Sequence, residues 1–178
     1  MHNMLRAFVT ATILVEQADE DQIDQRGAKK ALGTVWAQLS SLHANVIGVA
    51  QELFDDPRLA NAEPHELESQ WLRAVIDEVG TPSTAPALNE DDSWAWLARS
   101  TAWLAFCLAQ TESYARDGTY GQRGFEQIYA MLAQADDFEK LSAFAAITAA
   151  GAHLESTGSA MAQQVSATYG RLIRAVES

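Results

Sequence analysis

The sequence predicts an all-α fold, a compact bundle of about six to seven helices in a single domain over residues 1–178. Three observations predict it. All four prolines, Pro57, Pro64, Pro82 and Pro86, fall between residues 57 and 86, and the flanking sequence is rich in the helix formers Ala, Leu, Gln and Glu. No run alternates apolar and polar residues between turn signals, as a half-buried strand would. Apolar residues instead recur at steps of three and four, most clearly at Leu32, Val35, Leu39, Leu42, Val46, Val49 and Leu53.

The first helix is expected over 4–18, with Leu5, Phe8, Thr12 and Val15 on one face. Its apolar stretch AFVTATILV follows Arg6 and has the outline of a secretion signal, but EQADEDQ comes next instead of a small-x-small cleavage site. It is read as an amphipathic helix retained in the protein. The acidic run Asp19 to Asp24 either ends that helix or opens the next, since carboxylates favour a helix start.

Residues 28–54 read as one helix carrying a heptad seam. The flanking positions Trp36, Gln38, His43, Asn45, Ala50 and Glu52 are nearly uncharged, so the apolar face is wider than a two-helix seam needs and suits a multi-helix bundle. Residues 55–89 form a looser segment. Within it Pro64 suits the first turn of a helix burying Leu67, Trp71, Val75 and Val79, which Gly80 ends.

A central helix is expected near residues 92–116. Asn89 supplies its cap and Glu90, Asp91 and Asp92 complement its dipole. From Trp94 to Ala109, 13 of 16 residues are apolar, which implies a helix surrounded on every side. Trp94 and Trp96 lie about 200° apart on it and cannot face the same core. After RDGTYGQRG, helices are expected at 121–134, 136–153 and 158–176. The first buries Phe125, Ile128 and Leu132. The second opens on a capping box, Asp136 with Glu139, and buries Phe138, Leu141, Ala145 and Thr148. The third buries Met161, Val165, Tyr169, Leu172 and Val176.

Composition excludes several functions. The net charge is −12, with 13 acids against 6 bases in residues 1–80 and 11 against 6 in residues 81–178. No basic stripe exists to meet phosphates, so direct nucleic-acid binding is not expected. No apolar run reaches the ~18 residues of a membrane span. One cysteine, Cys107, allows no internal disulfide and no thiolate metal site, which points to a reducing cytoplasm. The histidines His2, His43, His65 and His153 show no metal-ligand spacing, and His43, His153 and Glu112 would have to meet across helices to bind one. No nucleophile elbow, phosphate loop or dinucleotide fingerprint occurs. No catalytic residue, metal or cofactor is assigned.

Two surfaces remain. The segment YARDGTYGQRGFEQIY combines Gly118, Gly121 and Gly124 with Arg116, Arg123, Tyr114 and Tyr120. Arginine and tyrosine are favoured at protein interfaces, although Gly118 as a plain helix cap explains part of the pattern. Arg116, Tyr120, Arg123 and Trp94 are therefore the candidate interaction residues. The expected function is a non-enzymatic interaction module that binds another protein or itself, for example an acidic inhibitor or immunity-like protein covering a basic partner. The rival is a bundle, enzymatic or not, that binds a small molecule in an aromatic pocket formed by Trp96, Trp103 and Tyr114. A third reading is an acidic mimic of DNA.

Overall fold

The computed structural model describes residues 2–56, 65–79, 86–109, 119–155 and 160–177. These form α1 (His2–Gln17), α2 (Gln25–Leu39), α3 (Asn45–Phe54), α4 (His65–Glu78), α5 (Glu90–Ala109), α6 (Thr119–Ala133), α7 (Asp137–Glu155) and α8 (Ala160–Glu177). Among the described residues there is no strand, and no helix is long and apolar enough to cross a membrane.

Eight helices stand among the described residues where about six to seven are expected, and the stretch read as one helix over 28–54 is two. The break falls at Ser40–Ala44. The Ser41 hydroxyl donates to the Gln38 carbonyl at 2.7 Å, and the Leu42 N–H turns back to the Leu39 carbonyl at 3.2 Å. Serine competes in this way with the helical ladder. The segment entering α5 then fixes the turn. The Leu88 N–H donates to the Ser41 carbonyl at 2.7 Å, and the Ser93 hydroxyl accepts the His43 N–H at 2.9 Å. The seam residues Leu39, Leu42 and Val46 stay buried across the break, so their spacing gives no sign of it.

Two helices share the centre. α5 packs on α1, α2, α3, α6, α7 and α8, and from Ser93 to Ala109 only Arg99 is exposed. Its start is capped as expected, with the Asn89 carboxamide oxygen accepting the Asp92 N–H at 2.8 Å. α1 is the second central helix and is not simply amphipathic. From Met4 to Val15 every residue except Arg6 and Leu14 is buried, and the helix touches α2 through α7. Burial of polar residues here is tolerated because Thr12 and Thr101 donate to the carbonyls of Phe8 and Leu97 on their own helices, both at 2.8 Å. The acidic run plays both expected roles. The Asp19 carbonyl accepts turns from Gln22 and Ile23, and the Asp24 carboxylate caps α2 through the Arg26 N–H at 3.1 Å.

α6 approaches this pair closely because it presents glycine. A methyl group added at Gly124 would stand 3.1 Å from Leu14 Cδ1 and 3.3 Å from Leu108 Cδ1. α4 is held to α1 by Trp71, whose indole donates to Glu16 at 2.9 Å, and by the Arg6–Glu68 pair at 3.2 Å.

The orientation of α7 reverses the sequence expectation. Phe138, Leu141, Ala145 and Thr148 do not enter the core. All four are exposed, Phe138 by 59% and Leu141 by 69%. The buried face is instead Glu139, Ala143, Ala146, Ile147 and Gly151. Apolar residues lie all round this helix, so periodicity does not orient it. Two other things do: small side chains that let α5 and α8 come close, and the Glu139 carboxylate, which is drawn to the start of α1.

Candidate functional site

Glu139 sets the geometry of the α7 face. One carboxylate oxygen accepts the Met4 N–H of α1 at 2.9 Å, and the other accepts the Asp136 N–H at 3.1 Å. Asp136 returns the bond by accepting the Glu139 N–H at 2.8 Å, which completes the capping box. That bond, in the field of a helix start, holds the Asp136 carboxyl below its ordinary pKa. With Glu139 turned inward, helical geometry forces residues 138, 141, 145, 148 and 152 outward on one stripe.

The stripe is large and apolar at its N-terminal end and small towards its C-terminal end, reading Phe138, Leu141, Ala145, Thr148, Ala152. Beside Leu141 a groove of about 400 Å³ runs between the start of α7 and the end of α8, lined by Asp137, Lys140, Leu141, Phe144, Val176 and Glu177. Exposed large apolar residues are ordinary when scattered. Here two stand at adjacent turns of one stripe, beside a groove lined by three apolar and three charged residues.

A second, smaller groove of about 240 Å³ lies between α6 and α8, lined by Phe125, Glu126, Tyr129, Arg171 and Arg174. The Arg171 guanidinium sits 4.1 Å over the Phe125 ring, and this pair forms part of the groove wall.

The residues expected to carry function are dispersed. Trp94 is in the core at 2% exposure, and its indole N–H has no hydrogen-bond partner among the described residues. It is placed away from the surface that an interaction role requires. Trp96 is half-buried with its ring 5.8 Å from Phe8, and Trp103 lies 5.5 Å from Phe106. Phe8 of α1 thus meets the Trp96 side of α5, the Trp103–Phe106 contact runs along α5 itself, and neither groove above is lined by Trp96 or Trp103. Tyr120 and Arg123 sit on α6, not on a loop. The Tyr120 hydroxyl donates to the Leu14 carbonyl at 2.8 Å, and burial, with Asp19 nearby, raises its pKa. Arg123 is exposed. Tyr114 and Arg116, like Glu112 of the three-residue metal set, lie outside the described residues. Gly121 and Gly124 lie buried on α6, and Gly124 packs against Leu14 and Leu108.

The chemistry of the interior is quiet. Burial pushes the Cys107 thiol up to about 12, far from the range of a nucleophile, and Tyr169 likewise to about 12. No group of three or more His, Cys, Asp or Glu side chains among the described residues is placed to hold a metal ion.

Sequence reasoning missed Phe138 and Leu141 as surface residues. The signal was present in the almost wholly small and apolar run AFAAITAAGA, which gives α7 no single face. A helix apolar on all sides, outside the centre of a bundle, leaves one apolar side outward. No family model, no curated protein and no solved structure matches this chain.

Proposed function

We propose that this chain is a non-enzymatic, helical protein-interaction module that docks through the outward face of α7. One observation carries the reading: Phe138 and Leu141, 59% and 69% exposed, lie on one stripe beside a groove, and the other exposed large apolar side chain among the described residues, Trp36 at 40%, stacks on Trp71. Leaving two such side chains in water forgoes about 1.5–3 kcal/mol each relative to full burial. A partner surface recovers that energy.

The acidic charge of the chain was the basis for expecting a basic partner. The α7 stripe itself carries no outward carboxylate between Phe138 and Ala152, while Asp137, Lys140 and Glu177 line the groove beside it, so recognition here combines apolar contact with charge at the groove. The single cysteine, buried and protonated, suits a reducing compartment such as the cytoplasm.

The test is gel filtration of extract from the native host, comparing the wild type with the Phe138→Ser/Leu141→Ser double variant. The wild type is expected above the size of a 19.4 kDa monomer, and the double variant at the monomer position with unchanged helicity. A wild type that elutes as a monomer, or a variant that elutes with the wild type, overturns the proposal.

A further inference from the structure

Two cations of α8 stand together without a counter-ion. Arg171 and Arg174 lie three residues apart, hence side by side on the helix surface, and both line the groove of about 240 Å³ between α6 and α8. Neither forms an ion pair or a hydrogen bond among the described residues. The chain has 24 acids and 12 bases, so a pair of unmatched cations runs against its composition. Glu126 lines the same groove but stays outside ion-pair distance of both arginines, and its carboxylate accepts the Gln122 carboxamide N–H at 3.0 Å.

Each arginine has a local role that leaves its donors unspent. Arg174 complements the dipole in the last turn of α8 through its charge alone. Arg171 stacks at 4.1 Å over the buried Phe125 and so uses the face of its guanidinium. The N–H donors lie in the plane at the edge of that group, where a carboxylate can take two of them in parallel. Stacking also holds the fork in place beforehand, which lowers the entropy cost of binding.

The groove selects its ligand by size, charge and surface. At about 240 Å³ it falls below the ~300–1,000 Å³ of sites for drug-sized molecules, so it suits one small ring with a head group. Two arginines against one glutamate leave its wall with one positive charge, which a single carboxylate neutralises and a phosphate dianion overshoots. The net charge of −12 opposes any long polyanion, whereas a small anion held at the arginines lies within the ~8 Å screening length of their charge. Tyr129, half-buried, adds an aromatic wall and a hydroxyl with no hydrogen bond among the described residues. We infer that the groove between α6 and α8 is a binding site for a small aromatic carboxylate, its head group on Arg171 and Arg174 and its ring against Tyr129. The groove shares no lining residue with the one beside α7, so the inference goes beyond the docking role proposed for that face and does not rest on it.

NMR titration of the purified full-length protein tests it, with benzoate as the probe and acetate, benzyl alcohol and phenyl phosphate as comparators. Benzoate is expected to saturate one site at a Kd of about 1 mM or tighter, with shifts confined to α6 and α8. Acetate lacks the ring and benzyl alcohol the charge, and each is expected to bind about ten-fold more weakly. Arg174→Gln is expected to weaken benzoate about ten-fold, and Arg171→Lys, which keeps the charge but loses the fork, by about three-fold or more. Glu126→Gln removes the opposing charge and is expected to tighten benzoate about three-fold and phenyl phosphate by more. Residues 126, 171 and 174 are exposed, so an otherwise unchanged spectrum checks that each variant keeps the fold. No saturable benzoate shift up to about 20 mM, benzyl alcohol or acetate binding as tightly as benzoate, or an affinity unmoved by both Arg174→Gln and Glu126→Gln overturns the inference.

Discussion

The carboxylate of Glu139 accepts the backbone N–H of Met4 across 135 positions of sequence, at 2.9 Å and out of contact with solvent. The same side chain closes the capping box of its own helix through the Asp136 N–H. One acid therefore serves the starts of two helices and fixes the rotation of α7 about its axis. Removing it leaves a buried N–H on α1 without its acceptor and releases the constraint that turns Phe138 outward. Glu139→Ala is expected to destabilise the fold by about 2–3 kcal/mol in urea unfolding, and Glu139→Gln, which keeps an acceptor oxygen, by less.

The partner residue in that box gives the acid response of the fold. The folded pKa of Asp136 lies below its ordinary value of 3.8, first because it accepts the Glu139 N–H. Its contribution is therefore complete above that value and lost as pH falls through the lowered folded one. Asp136→Asn keeps a capping oxygen but cannot titrate, so part of the acid-induced loss of stability seen in wild type as pH falls below its ordinary value of 3.8 should disappear in this variant. Urea titrations of the two proteins across that window read the difference directly.

Cys107 sits in the central helix with its thiol held protonated up to about 12, first by burial and then by Asp24. Native protein at pH 8 should react with a thiol reagent only as fast as it opens, and denatured protein at once. Because the folded pKa exceeds the ordinary value of 9.0, this group lowers stability as pH rises from about 9 towards about 12 and has no effect below.

The glycines separate into two kinds by what surrounds them. Gly33 and Gly48 are helical and exposed, with no heavy atom within 4 Å of an added methyl. Replacing either by alanine should stabilise the fold by about 0.5–1 kcal/mol, since only backbone freedom in the unfolded chain is lost. Gly124 is wedged against Leu14 and Leu108, and Gly124→Val should cost more than about 2 kcal/mol by forcing α6 away from α1 and α5. Thermal melts of the three variants test both signs.

The helices themselves were readable because their signals are local. Asn89, Asp136 and the run from Trp94 to Ala109 announce a cap, a capping box and a surrounded helix, and the structure has all three. The break at Ser40–Ala44 was not readable, since Leu88 and Ser93, which hold the turn, lie about fifty positions away and the apolar spacing runs through unbroken. The face of α7 was unreadable for a related reason. Its orientation is decided by a hydrogen bond to Met4, and periodicity in a helix apolar on every side contains no trace of that. Trp94 and Tyr120 stand out in the sequence as interaction candidates. Their aromatic bulk is used within the fold, in the core and in a bond to Leu14.

The central claim is that the outward face of α7, and not the α6 surface around Arg123, is where this protein meets another protein surface. A photo-crosslinking amino acid placed at position 141, and separately at position 123, in the native host measures this most directly. The account predicts a discrete protein adduct from 141 and none above background from 123. An adduct from 123 with none from 141 would contradict it.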